Sequence, residues 1–150
     1  MATLKEEAEF HRIALAMALM DIDAVVAWAD RTIELLPEPP IQVIDVSLAG
    51  SRAAAEVVDL LSVVSGPGDT RKVAHQVLGL FLQRFAAGEL ALEAAVGMLW
   101  AYHNWADIAE DERLQAANFY DALNCAQRGY YGTLDAVRQE ILDFARAHAV

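Results

Sequence analysis

Only one stretch of this chain, Ile41 to Leu48 (IQVIDVSL), has the β-branched content and partial alternation of a strand. A lone strand has nothing to pair with and leaves its own backbone N–H and C=O groups unsatisfied. Elsewhere the apolar residues recur at helical spacing, and no Asn-Gly or Asp-Gly hairpin signal occurs. Alanine, the strongest helix former, supplies 29 of the 150 residues. The chain is therefore expected to be all-α. We read 41–48 as a short helix with Ile41, Ile44 and Leu48 on one face.

The punctuation divides the rest into about seven long helices. Thr3 and Glu6 form a capping-box pattern ahead of Leu4, Phe10, Ile13, Met17 and Met20. Asp21 is placed to cap a helix lined by Ile22, Val25, Val26, Ala29, Ile33 and Leu36, which stops at the stiff Pro37-Glu38-Pro39-Pro40 connector. Ser51 is expected to cap the next, with Val57, Val58 and Leu61 inward, and Asp69 the one after, which closes at Gly88. Residues 89 to about 104 are nearly all apolar, as in a central helix covered on most sides. Asp107 and Glu110 repeat the capping-box spacing before Leu114, Phe119, Tyr120 and Leu123. Gly129 and Gly132 bracket a turn, and Thr133 caps a last helix bearing Leu134, Val137, Ile141 and Phe144.

A length of 150 residues predicts a single helical domain spanning 1–150, large enough to fold without a metal or disulfide. At 56% hydrophobic the chain is not of the disordered class, even with a net charge of −11. That charge opposes nucleic acid and anionic membranes, which require a positive footprint. The longest uncharged run, 94–106, is shorter than the ~20 apolar residues that span a bilayer. Three acids among the first nine residues are unlike a signal peptide, so a soluble, cytoplasmic protein is expected. The apolar content also favours a homodimer over a monomer.

Charge is distributed unevenly. From Phe85 to Glu112 there is no Lys or Arg, while Glu89, Glu93, Asp107, Glu110, Asp111 and Glu112 contribute six acids. Four of these crowd one helix start, where negative charge complements the macrodipole and need mean no more than good capping. Beside them stand Trp100, Tyr102, His103 and Trp105. Trp and Tyr are frequent interface anchors, so Tyr102, Trp105, Asp107, Glu110, Asp111 and Glu112 form the expected partner-binding face. Trp100, on the most apolar segment, is expected in the core.

No catalytic or metal site is expected. The four histidines, His11, His75, His103 and His148, include no His-x-x-x-His or Glu-x-x-His spacing. Glu7 with His11 and His103 with Asp107 do fall four apart, but nothing in the sequence joins them. His75 shares a polar stripe with Lys72, Gln76 and Gln83 and reads as a surface residue. Cys125, the only cysteine, reads as a small buried residue and excludes an internal disulfide. Nucleophile-elbow, P-loop and dinucleotide fingerprints are absent, so no cofactor is expected.

The segment Trp28-Ala29-Asp30-Arg31-Thr32-Ile33, a proline-containing gap and Ile44-Asp45-Val46-Ser47-Leu48, with Tyr131-Gly132-Thr133 before the last helix, resembles small acidic all-helical bacterial proteins. Some of these resemble the immunity proteins of polymorphic toxin systems. The resemblance implies a non-enzymatic protein that binds and blocks a cognate toxin domain, and transfers no site residue. Two other readings stay open: a small enzyme with a dispersed His/carboxylate site, such as His103 with Asp107, and a self-associating adaptor.

Overall fold

The computed structural model describes residues 1–150 as eight helices with no strand. They are α1 (Leu4–Ala16), α2 (Ile22–Leu35), α3 (Ile41–Ser47), α4 (Ala54–Ser62), α5 (Thr70–Ala86), α6 (Leu92–Trp105), α7 (Glu110–Gln127) and α8 (Leu134–His148). Seven long helices and a short one at 41–47 match the sequence reading. The chain forms two compact units, Met1–Val73 and Ala74–Val150, with the boundary inside α5.

In the first unit α1 packs against α4, α2 lies along α3, and α3 meets α4. Their shared core includes Val25, Trp28, Ala29, Val43, Val46, Val57 and Leu61. The capping box at Thr3 is fully formed, and Asp21 accepts from the Ala24 N–H at 2.9 Å. Glu6 reaches further than its own helix. Its carboxylate takes the Thr3 N–H at 2.9 Å and the Asp69 N–H at 3.4 Å, which holds it below the usual carboxylate range. Gly68 sits so close that a Cβ there would lie 2.8 Å from Glu6 Cγ. In α3 the inward residues are Val43 and Val46; Ile41 and Leu48 are exposed, so the segment is helical with a different face inward from the one expected. The two parts of the WAD and IDVSL resemblance meet here, because Ser47 Oγ donates to Asp30 Oδ1.

In the second unit α6 packs along α7, and α7 against α8. Phe81 and Phe85 of α5 stack 5.6 Å apart, and Arg138 of α8 lies 5.0 Å above the Phe85 ring. Phe119 and Phe144 meet edge-to-face at 5.5 Å between α7 and α8. Thr133 caps α8 through the Ala136 N–H, as expected.

Two expected caps are not used. Helix α4 begins after Ala53 and α7 after Ala109, neither with a side-chain cap, so Ser51 and the Asp107/Glu110 pair do not serve. At α7 the reason is Ile108, whose buried side chain draws the linker inward past Asp107. No helix is long and apolar enough to cross a membrane.

Candidate functional site

Helix α6 is not covered on most sides. Its inward stripe is Ala95, Val96, Leu99 and Tyr102, which turns Trp100 outward at 45% exposure, a correction to its expected core position. Trp100 lies 5.5 Å from the Tyr120 ring of α7 and 4.5 Å from His103. Tyr120 is 58% exposed, and Leu114 is exposed too. Between α6 and α7 runs a groove of about 230 Å³, lined by Glu93, Gly97, Tyr120, Asn124 and Gln127 among others. Gln127 donates to the Glu93 carboxylate at 3.3 Å.

The six residues expected to bind a partner divide into two sets. Trp105, Asp107, Glu110 and Asp111 are exposed, as a contact face requires. Tyr102 and Glu112 are buried, and the Tyr102 hydroxyl donates to Glu112 Oε2 at 2.7 Å. These two residues leave the surface because each lies on the inward stripe of its helix. On α7 that stripe runs Glu112, Ala116, Phe119, Leu123. Burial, then the hydrogen bond and charge of Glu112, push the Tyr102 hydroxyl far above its ordinary value, so it remains a donor.

The acidic stretch is also not free of cations, since Arg113 follows it directly. Its guanidinium bonds the His103 carbonyl and, at 2.9 Å, the Ala106 carbonyl. It thus closes the C-terminal end of α6 and lies 3.8 Å from Glu110.

Behind Glu112 lies a cluster that the sequence reading missed. His75 Nε2 of α5 is 2.8 Å from Glu112 Oε1, and His148 Nδ1 of α8 is 3.4 Å from the same oxygen. His75 is half-buried and partnered, not a surface residue. The ring of His148 is 5.0 Å from Phe144, and the Val150 N–H bonds the His75 carbonyl at 3.3 Å. A signal for part of this was present. His148 extends the Ile141, Phe144, Ala145 stripe by one turn, as Glu112 extends that of Phe119. Cys125 is half-buried rather than buried.

Two places in this unit can therefore act chemically on something else: an aromatic and acidic outer face, and an imidazole–carboxylate cluster just beneath the surface. Compared with protein-family models, with curated proteins and with solved structures, the chain matches none.

Proposed function

We propose that this chain is a non-enzymatic protein-binding module of the immunity type, which engages a basic protein through the outer face of α6 and α7. The observation that carries this reading is the contact of two exposed aromatic rings, Trp100 and Tyr120, on a face that also bears carboxylates. Exposed Trp and Tyr are the side chains that most often anchor an interface. Glu93 lines the groove beside Tyr120. Glu110 lies ten residues back along α7, or roughly 15 Å, within the span of one ordinary interface, whereas Asp111 projects from the opposite side of the helix to Tyr120. A net charge of −11 suits a basic protein, such as a toxin domain with a cationic active site, better than a nucleic acid.

The test pairs the chain with the product of the reading frame beside its own. Binding and relief of growth arrest on co-expression are expected. Trp100→Ala with Tyr120→Ala should speed dissociation. Asp107→Asn with Glu110→Gln should slow association at low salt and little at high salt, since rim charges act through the on-rate. Unchanged rates in both folded variants, or no binding by the parent chain, overturn the reading.

A further inference from the structure

We propose that His75, Glu112 and His148 form a mononuclear site for a borderline divalent metal ion, zinc(II) in the first place. One donor comes from each of three helices, α5, α7 and α8, and the three ligand atoms lie within 4.8 Å of one another. Tetrahedral zinc with bonds of 2.0–2.1 Å sets its ligand atoms roughly 3.3 Å apart. The two measured approaches to Glu112 Oε1, 2.8 and 3.4 Å, bracket that separation. Binding one ion requires side-chain rotations that set the two imidazole nitrogens, now within 4.8 Å of each other, at that same separation.

The surroundings are those a metal site requires. Tyr102 donates to Glu112 Oε2 and fixes the carboxylate plane, leaving Oε1 turned to the two imidazoles. The Glu112 side chain is 4% exposed, whereas those of His75 and His148 are 24% and 25% exposed. An ion can enter from the imidazole side and complete its shell with water. His148 is held against α5 by the bond from the Val150 N–H to the His75 carbonyl. That approach depends on Gly79, where a Cβ would meet the Val150 carbonyl oxygen at 2.9 Å. Two imidazole nitrogens and one carboxylate oxygen are a zinc donor set with an open position, whereas magnesium and calcium take oxygen alone.

The experiment uses the untagged full chain, stripped with a chelator, titrated calorimetrically with zinc chloride at about pH 7.5. One ion should bind with a Kd of about 1 µM or tighter, and should raise the melting temperature. Magnesium should do neither. Glu112→Gln and His148→Gln should each weaken zinc at least ~100-fold, and Tyr102→Phe about 10–100-fold, while His103→Gln leaves it unchanged. Should Glu112→Gln fail to fold by circular dichroism, the half-buried His148→Gln decides. Zinc binding only near millimolar, or equal binding by His148→Gln, overturns the proposal and leaves a hydrogen-bonded cluster without a metal. Neither result depends on whether the outer face binds a protein.

Discussion

Ala18 occupies a conformation that its side chain resists. Helix α1 ends with the Ala18 N–H bonded to the Leu15 carbonyl at 3.0 Å and the Leu19 N–H to the Ala14 carbonyl at 2.8 Å. That paired closure needs a left-handed residue at its turn, and Ala18 has φ 59°. Helices α5 and α7 close by the same two bonds, but with Gly88 and Gly129 at the turn. Only α1 uses a residue with a Cβ, so Ala18→Gly should stabilise the chain by about 1 kcal/mol, net of the extra freedom glycine gives the unfolded state. Urea unfolding with an unchanged m-value checks this; a lower midpoint would mean the strain has been misplaced.

His11, in the same helix, carries a pH dependence. Its ring stacks on Trp28 at 4.6 Å, and burial holds its pKa below the ordinary 6.5 against the opposing pull of the Glu7 carbonyl and carboxylate. The unfolded chain thus takes this proton more readily than the folded one. The stabilisation tied to neutral His11 is complete above 6.5 and is lost as pH falls through the lower folded value. His11→Gln cannot titrate, so between about pH 7 and about pH 5 its stability should fall less than that of the parent. Parallel urea profiles for the two proteins would refute the assignment.

At the scale of elements, the helices were legible and their orientations only partly so. Start signals with a side chain to spend, Thr3, Asp21 and Thr133, mark real N-termini because the cap is a local bond between residues three apart. Asp107 failed as a cap because a distant packing demand, the burial of Ile108, decided where α7 could begin. Helix α6 misled for a different reason. Its sequence is apolar all round, so periodicity does not say which side faces water, and Trp100 turns outward where its apolar neighbours suggest the core. On α7 the opposite held: the run of acids concealed that Glu112 starts the buried stripe. Its partner His75 is 37 residues away, a separation no local pattern reports. The candidate face was therefore half legible, in its exposed acids and Trp105, whereas the imidazole cluster required the fold.

For the whole molecule, the excess of carboxylates is the dominant long-range term. A net charge of −11 on a folded chain repels itself, and unfolding relieves that repulsion by moving the charges apart. Attractive pairs oppose it, and the one between Arg12 and the buried Glu9 is largely shielded from salt. The Arg52–Glu56 pair at 3.6 Å is exposed at both ends, and Arg113–Glu110 at 3.8 Å has an exposed acid. Such pairs are worth ~0–1 kcal/mol and weaken in salt as well. Screening should thus remove more repulsion than attraction. The Debye length falls from about 30 Å at 0.01 M salt to about 10 Å at 0.1 M, so most of the change comes at low ionic strength. We expect Tm at neutral pH to rise by about 2–4 °C from near 0.01 M to a few tenths molar sodium chloride, as a gain of ~1 kcal/mol would give for a chain of this size. Potassium chloride should do the same, because the effect follows ionic strength and not the identity of the ion. Association with a basic partner should respond with the opposite sign, since the field that salt screens would also steer that encounter. A Tm that is flat or falls would mean that salt screens as much attraction as repulsion within the fold, while the on-rate would still fall with salt, because the net charge of −11 remains.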